Sequence, residues 1–205
     1  MSPSRKSRVP IQAKLQATAF RPDQLLKPGS RSVVFLGRSN VGKSSFINSL
    51  CKKELAKVAK TPGKTRSVNY YSLSSNLTLI DVPGYGYAKR SFAERDSWQQ
   101  LLEDFFDSLS EGVQVYLLVD SKRELEKEEL QLVDSLQQRN ISVQLLMTKA
   151  DRLNQSQRSL RINYLEKVYK NLNLVAALPY CFVSTRSGEG VDFVRRQLFH
   201  YGQKN

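Results

Sequence analysis

The chain has 205 residues, of which two are cysteines and one is a histidine, and its 32 basic side chains outnumber 19 acidic ones for a net charge of +13. This length suits one soluble globular domain. So few cysteines and histidines exclude a disulfide framework, a zinc cluster and a serine–histidine–aspartate mechanism, and they favour a reducing cytoplasm. The charge excess indicates a polyanionic partner, nucleic acid or an anionic membrane surface, although a merely soluble basic surface would look the same.

The first 30 residues are predicted to form a basic leader, followed by a single domain over residues 31–205. Lysine, arginine and proline are frequent in the leader. We expect its first ten residues to be flexible, whereas the stretch 11–20 is apolar enough to pack on the domain. The leader has no apolar run of the ~7–15 residues typical of a secretory signal, and nothing in the chain reaches the ~18–20 apolar residues of a membrane helix. We therefore expect no membrane span.

Strand and helix patterns then alternate along the chain. Short apolar and β-branched runs predict strands at 32–36, 67–73, 77–81, 113–119, 143–147 and 180–183. Apolar residues at helical spacing predict helices at 44–50, 98–109, 124–138, 158–172 and 191–199. The second and third strands are close enough in the chain to form a hairpin. This alternation predicts an α/β fold around a mainly parallel sheet, and ligands of such sheets bind beyond the carboxyl ends of the strands.

A glycine-rich segment follows the first predicted strand and precedes the first predicted helix. It matches the pattern G-x-x-x-x-G-K-[ST] and consists of Gly37, Arg38, Ser39, Asn40, Val41, Gly42, Lys43 and Ser44. Glycines at both ends allow the backbone to curl around a phosphate chain with its N–H groups pointing inward. Lys43 would reach the β- and γ-phosphates, and the Ser44 hydroxyl would bind Mg²⁺. The alternative is a chance glycine-rich turn, which the strand–loop–helix context disfavours.

Two further segments are suited to sensing a γ-phosphate. The third predicted strand leads into Asp81, Val82, Pro83 and Gly84. The Asp81 carboxylate suits a second Mg²⁺ contact and the Gly84 N–H suits a γ-phosphate oxygen. An aspartate in a turn more often caps local backbone, but its position after a phosphate loop favours the nucleotide. The other segment contains Gly63, Lys64, Thr65 and Arg66. The Thr65 hydroxyl could join Mg²⁺ when a γ-phosphate is present, although a threonine in a loop is otherwise commonplace.

The last two predicted strands are followed by candidate base-binding segments. The first comprises Thr148, Lys149, Ala150 and Asp151. The Asp151 carboxylate can accept from N1–H and the 2-amino group of guanine, which adenine lacks, while the stem of Lys149 can lie over the base. The second comprises Val183, Ser184 and Thr185, whose backbone N–H groups could hold the guanine O6. Either segment alone would be taken for a solvated loop, but their order after a phosphate loop favours GTP and GDP.

These motifs, in the order GRSNVGKS, TPGKTR, DVPGYG, TKAD and VST, are similar to those of translation-factor-class GTPases. The combination of TPGKT with DVPGYGYAK in a short chain resembles the EngB (YihA/YsxC) family of ribosome-biogenesis GTP-binding proteins. The resemblance implies a three-layer P-loop GTPase fold, with a mainly parallel six-stranded sheet and one antiparallel edge strand. It implies Mg²⁺ ligands at Ser44 and Thr65, and catalytic roles for Lys43, Thr65 and Gly84. It also implies a cytoplasmic GTPase, expected to be monomeric, that binds ribosomal RNA or the large ribosomal subunit, assembles that subunit and is required for cell division.

Two residues bear on how fast GTP would be hydrolysed. Tyr85 follows Gly84, where many regulatory GTPases place a glutamine that orients the attacking water, so we expect slow hydrolysis without an activator. Asn40 matches an asparagine that helps to hold K⁺ in related GTPases, and capping of its own loop is an equally good interpretation. Tyr85, Tyr87, Lys89 and Arg90 also form an aromatic and basic cluster. This cluster could stack on RNA bases or simply pack against the domain.

Other functions remain open from the sequence. The chain could be an RNA-binding assembly scaffold that needs its nucleotide mainly for folding, and turnover measured with and without ribosomal particles would distinguish this from a switch. It could be a GTPase of membrane or protein targeting, since a basic leader can touch anionic lipid, although no lipidation signal is evident. A P-loop kinase is the least favoured, because the TKAD segment would have no purpose in it.

Overall fold

Residues 13–56, 67–73, 76–84, 92–171 and 179–203 are described by the computed structural model. Within these ranges one sheet contains seven strands: β1 Ala13–Ala19, β2 Ser32–Gly37, β3 Val68–Leu73, β4 Leu77–Asp81, β5 Gln114–Asp120, β6 Ser142–Thr148 and β7 Tyr180–Phe182. The same ranges contain five α-helices: α1 Lys43–Cys51, α2 Phe92–Asp107, α3 Lys127–Gln138, α4 Gln155–Asn171 and α5 Val191–Gln203.

The sheet is mixed but mainly parallel. Its strands lie in the spatial order β1-β3-β4-β2-β5-β6-β7. The central strand β2 is parallel to β4 on one side and to β5 on the other, and β6 and β7 continue in parallel. Strand β3 is antiparallel to both of its neighbours, which confirms the β3–β4 hairpin. The predicted α/β fold is confirmed, and the carboxyl ends of the parallel strands meet at one edge of the sheet.

The sheet has seven strands instead of the six predicted, and the additional strand comes from the predicted leader. Strand β1 pairs with β3 from Ala13 opposite Leu73 to Ala19 opposite Val68. The antiparallel strand β3 is therefore second from the edge and not at the edge. The sequence of β1, AKLQATA, alternates apolar and polar residues, so a strand signal was present in the predicted leader, although only the two end alanines are buried. The first ten residues, expected to be flexible, lie outside the described residues.

Side chains that alternate along the central strands build a core on each face of the sheet. In β2, Val34 and Leu36 pack in a cluster with apolar residues of α2, α3 and α4. Their neighbours Val33 and Phe35 pack on the opposite face with residues of α1 and α5. This two-residue period is the one expected of a strand covered on both sides. The fold therefore has three layers, and it fixes α1 and the loop before it against the centre of the sheet.

The far end of α1 is held by an arginine of α5. Arg195 donates to the carbonyl of Leu50 at 2.9 Å and to the carbonyl of Ser49 at 2.8 Å. The last carbonyls of a helix lack partners within the helix, and a cation there also complements the helix dipole. The two hydrogen bonds of Arg195 thus stabilise α1 at the end opposite to the glycine-rich loop and limit its movement relative to the sheet.

Candidate nucleotide-binding site

The loop between β2 and α1 is shaped by left-handed backbone. Asn40 has a φ of +65° and Gly42 a φ of +103°. Gly42 directly precedes α1 and brings no capping side chain, so the first N–H groups of the helix are left for an anionic ligand. At the other end of the loop, a Cβ on Gly37 would lie 2.9 Å from the carbonyl oxygen of Leu118, so close packing requires glycine there. This is the backbone that a phosphate chain needs.

A buried ion pair connects this loop with the segment after β4. The Lys43 ammonium donates to Oδ1 of Asp81, and only 7% and 2% of the two side chains are exposed. Asp81 ends β4, which is parallel to β2, and Lys43 begins α1 just beyond the carboxyl end of β2, so both residues lie at the same edge of the sheet. A buried charge is tolerated only when it is paired. Two charged groups that were predicted from separate motifs are therefore already in contact.

The segment after β4 also approaches the loop closely at Gly84. The Ser39 hydroxyl donates to the carbonyl oxygen of Gly84 at 3.3 Å. A Cβ added to Gly84 would lie 2.9 Å from the Ser39 nitrogen and 3.0 Å from the Ser39 Cα. Val82 and Pro83, which lie between Asp81 and Gly84 in the chain, are buried. Position 84 therefore requires glycine because there is no space for a side chain beside Ser39.

The oxygen groups around Lys43 fit Mg²⁺. Ser44 supplies a hydroxyl in the first turn of α1, and Asp81 supplies a carboxylate. In the part of the chain that the structure describes, no three His, Cys, Asp or Glu side chains form a metal-binding group. Mg²⁺ usually keeps several waters and binds one or two protein oxygens together with substrate phosphates, so a sparse donor set suits it. The other predicted ligand, Thr65, lies outside the described residues, as do Gly63, Lys64, Arg66 and Tyr85.

The loop after β6 is tied to the phosphate loop by two consecutive residues. The Lys149 ammonium donates to the carbonyl oxygen of Asn40 at 2.9 Å and to Oδ2 of Asp120 at 2.8 Å. The buried Thr148 hydroxyl donates to the carbonyl oxygen of Val41 at 2.8 Å. The predicted base-binding segment and phosphate-binding segment, more than a hundred residues apart in the chain, therefore form one continuous site.

Asp151 lies in the turn after Lys149, with its side chain exposed. The Ser184 hydroxyl donates to Oδ1 of Asp151 at 2.6 Å. This hydrogen bond is the main cause that lowers the pKa of the Asp151 carboxyl, so the group is a carboxylate at neutral pH. The side chain is thus oriented and charged, as an acceptor for two guanine donors must be.

The segment after β7 packs directly against this turn. The Ala150 N–H donates to the carbonyl oxygen of Val183 at 3.2 Å, and Thr185 next to it is exposed. The Ser184 N–H donates to the carbonyl oxygen of Glu189 at 3.0 Å, so this backbone donor is already engaged. The contact that Ser184 makes with the site is therefore through its side chain, a role that the sequence did not suggest.

Two acidic residues that were not predicted contact the candidate site, one at the end of β5 and one at the start of α3. Asp120 ends β5 and binds Lys149, as described above. Glu126 accepts from the guanidinium of Arg38 in the phosphate loop and from that of Arg123 at 2.5 Å. The partners are 29 and 88 residues apart in the chain, so no local motif marks these contacts. The Glu126–Glu129 spacing is a capping-box signal, but it would have indicated only the start of a helix.

A glycine-rich loop paired with a buried aspartate, with the lysine and aspartate of the predicted base-binding turn beside it, is the arrangement of a P-loop GTPase. Residues 32–149 match the model of a family described as 50S ribosome-binding GTPase. The chain is 38% identical over 178 residues to the probable GTP-binding protein EngB of Thermotoga maritima, covering 87% of this chain and 90% of that protein. The chain belongs to the EngB family of GTP-binding proteins.

Solved structures agree with this fold. A crystal structure of a probable GTP-binding protein engB superposes with a TM-score of 0.63 at 19% identity, over 85% of this chain and 99% of that one. Era in complex with MgGDPNP and nucleotides 1506–1542 of 16S ribosomal RNA gives a TM-score of 0.63 at 16% identity, over 83% of this chain and 56% of that one. Among the described residues, no helix has the length and apolar character required to cross a membrane.

Proposed function

We propose that this GTPase is a slow nucleotide-dependent switch in the assembly of the large ribosomal subunit, that it acts in the cytoplasm as a monomer, and that normal cell division requires it. The observation that carries the proposal is the match of residues 32–149 to a family described as 50S ribosome-binding GTPase. The net charge of +13 supports it, because basic proteins bind RNA by displacing condensed counterions.

At the phosphate end of the site, Lys43 and Gly84 are the proposed catalytic contacts, together with Thr65. The Lys43 ammonium turns from Asp81 to the β- and γ-phosphates, and the Gly84 N–H donates to a γ-phosphate oxygen. Ser44 and Thr65 hold Mg²⁺, with Asp81 as a further contact, and the bound ion neutralises charge on the phosphates. Loss of the γ-phosphate releases Thr65 and Gly84, so the two loops relax after hydrolysis.

At the base end, Lys149 and Asp151 are the proposed determinants of guanine specificity. The stem of Lys149 lies over the base plane, and the Asp151 carboxylate accepts from N1–H and the 2-amino group. Adenine lacks these donors, so ATP and ADP are expected to bind far more weakly than GTP and GDP. Equal affinities for ATP and GTP in a competition titration would contradict this assignment.

Hydrolysis by the isolated protein is proposed to be slow because Tyr85 stands where a water-orienting glutamine is common. Asn40 is placed in the phosphate loop with its carbonyl bound by Lys149, and it is a candidate for holding K⁺. We expect turnover to rise with large ribosomal particles and to be higher in K⁺ than in Na⁺. Fast hydrolysis by the pure protein in Na⁺ would refute the proposal that intrinsic hydrolysis is slow.

The basic residues of α4 are only partly available to RNA. Arg158 is ion-paired with Glu189 at 2.6 Å, and Arg161 lies over an aromatic ring at 5.1 Å from its centre. Lys167 and Lys170, by contrast, are exposed. Cations engaged within the domain contribute less to counterion release than free ones. The leader and the exposed lysines are therefore the better candidates for contacts with ribosomal RNA.

Co-sedimentation with purified ribosomal subunits tests the proposal. We expect the chain to bind the large subunit more tightly than the small one, more tightly with a GTP analogue than with GDP, and more weakly as salt increases. A truncation that removes residues 1–12 leaves β1 intact, and it should weaken this binding and flatten its salt dependence while GTP affinity is unchanged. The double variant Lys167→Ala, Lys170→Ala tests the second candidate surface, and it should also weaken the binding while GTP affinity is unchanged.

The alternatives give different results in the same experiment. Binding that ignores the nucleotide, with no stimulated turnover, would indicate an RNA-binding scaffold and contradict the switch. Equal binding to anionic lipid vesicles would indicate a targeting GTPase and contradict the ribosomal role. In cells depleted of the protein, incomplete large subunits should accumulate before septation fails, and normal subunit profiles at that stage would overturn the proposal.

A further inference from the structure

Asp120 occupies a position at which it can act on the base-binding lysine. It is the last residue of β5, and β5 pairs in parallel with β6 so that Asp120 lies opposite Thr148. Lys149 is the next residue after Thr148. Parallel strands in register release their following loops at the same edge of the sheet. The sheet therefore places the Asp120 carboxylate beside the Lys149 stem, whatever the local sequence of either loop.

The contact between the two residues holds the lysine at two points. Oδ2 of Asp120 accepts from the Lys149 ammonium at 2.8 Å, and the same ammonium donates to the carbonyl oxygen of Asn40 at 2.9 Å. The carboxylate is itself fixed, because its Oδ1 accepts from the Lys122 N–H at 3.0 Å. A lysine side chain is long and flexible, so a single contact would leave its stem free to move. Two contacts at the head determine where the stem lies.

The Asp120 carboxyl is ionised under ordinary conditions. Burial raises its pKa, but the hydrogen bonds from Lys149 and from the Lys122 N–H, with the charges of Lys149 and Arg152, outweigh burial and lower the pKa overall. The side chains of Asp120 and Lys149 are 18% and 27% exposed. Ion pairs with that much access to water contribute little to folding stability. Stability therefore gives only a weak reason for the pair.

We propose that Asp120 is a positioning residue for nucleotide binding, which holds Lys149 so that its stem forms one wall of the base site. The inference rests on the proposed contact of Lys149 with guanine. Removal of the Asp120 charge would free the Lys149 head from one of its two contacts and loosen that wall. The Lys149 stem contacts the face of the base, whereas Asp151 forms hydrogen bonds with its edge. Asp120 should therefore set the strength of purine binding and leave the discrimination between purines unchanged.

The test measures the affinities for GDP and inosine diphosphate, which lacks the 2-amino group, in a double-mutant cycle. Asp120→Asn is expected to weaken the binding of both nucleotides by the same factor, between about 1.5- and fivefold, since a partly exposed ion pair is lost. The ratio of the two affinities should stay at the wild-type value. In a Lys149→Met background the further change Asp120→Asn should have no effect, because the group through which it acts is gone.

Two further variants separate positioning from a general effect on the fold. Asp134→Asn on α3 changes an exposed aspartate that accepts from Gln138 at 2.9 Å, and it should leave both affinities unchanged. Asp120→Glu keeps the charge and should recover part of the lost affinity. An unchanged GDP affinity in Asp120→Asn would overturn the inference alone, and so would a loss that persists in full in the Lys149→Met background. An unchanged GDP affinity in Lys149→Met would overturn the proposed base contact and the inference with it.

Discussion

Replacement of Gly84 by alanine should separate GTP binding from GDP binding. Gly84 needs glycine because of its close approach to Ser39, since an added Cβ would lie 2.9 Å from the Ser39 nitrogen and 3.0 Å from its Cα. Both atoms are backbone of the phosphate loop and cannot rotate away. Carbon atoms in favourable contact are about 3.5–4.0 Å apart, so the segment after β4 must retreat by roughly 0.5–1 Å.

The cost of this retreat should fall on the GTP state. Overpacking by one methyl group costs about 1–3 kcal/mol, which corresponds to a loss of affinity of about 5- to 150-fold if the contact is needed for binding. The Gly84 N–H is proposed to meet the γ-phosphate, which GDP lacks. A GDP complex can accept the displaced segment, so GDP affinity should change by less than about twofold, within the scatter of surface substitutions.

The assay is a titration of each variant with fluorescent GDP and with a non-hydrolysable GTP analogue in the presence of Mg²⁺. Gly29→Ala is the matched control, because an added Cβ at Gly29 meets no atom within 4 Å. It should bind both nucleotides as the wild type does. An equal loss for GDP and the GTP analogue in Gly84→Ala, or no loss for either, would refute the proposed role of Gly84.

Three further substitutions test other parts of the site. Asp81→Ala leaves the Lys43 ammonium buried without its carboxylate, so it should lower the free energy of unfolding of the nucleotide-free protein by about 3–5 kcal/mol. Asp23→Ala removes a carboxylate from an exposed ion pair and should lower it by under about 1 kcal/mol. Urea unfolding measures both values. Asp151→Asn should weaken GTP and favour xanthosine triphosphate, whose 2-oxo group accepts where guanine donates, as competition titration will show. Ser184→Ala removes the hydrogen bond that lowers the pKa of Asp151, so that pKa should rise. As the pH is lowered, the variant should therefore lose GDP binding at a higher pH than the wild type does. GDP affinity measured as a function of pH tests this.

The form of the contiguous motifs could be predicted from the sequence because it depends on local backbone. A strand, a glycine-rich turn and a helix that follow one another place Gly37, Gly42 and Lys43 correctly whatever surrounds them. Asp81 and Asp151 were recognisable because each follows an apolar run that ends at the same edge of the sheet. The central strands were predicted to within one or two residues, because their side chains are buried on both faces and form unbroken apolar runs.

Only the tertiary structure decided which distant groups support those motifs. The alternating sequence of β1 permits a strand, but only its pairing with β3 shows that the predicted leader enters the sheet. The contacts Asp120–Lys149, Glu126–Arg38 and Ser184–Asp151 join residues 29, 88 and 33 positions apart. Strand order brings the first and third pairs together, the start of α3 brings the second, and neither is encoded in the periodicity of a single segment. From the sequence alone, a polar side chain near a strand end is expected to be solvated, and only the tertiary structure shows the partner that it contacts across the sheet edge.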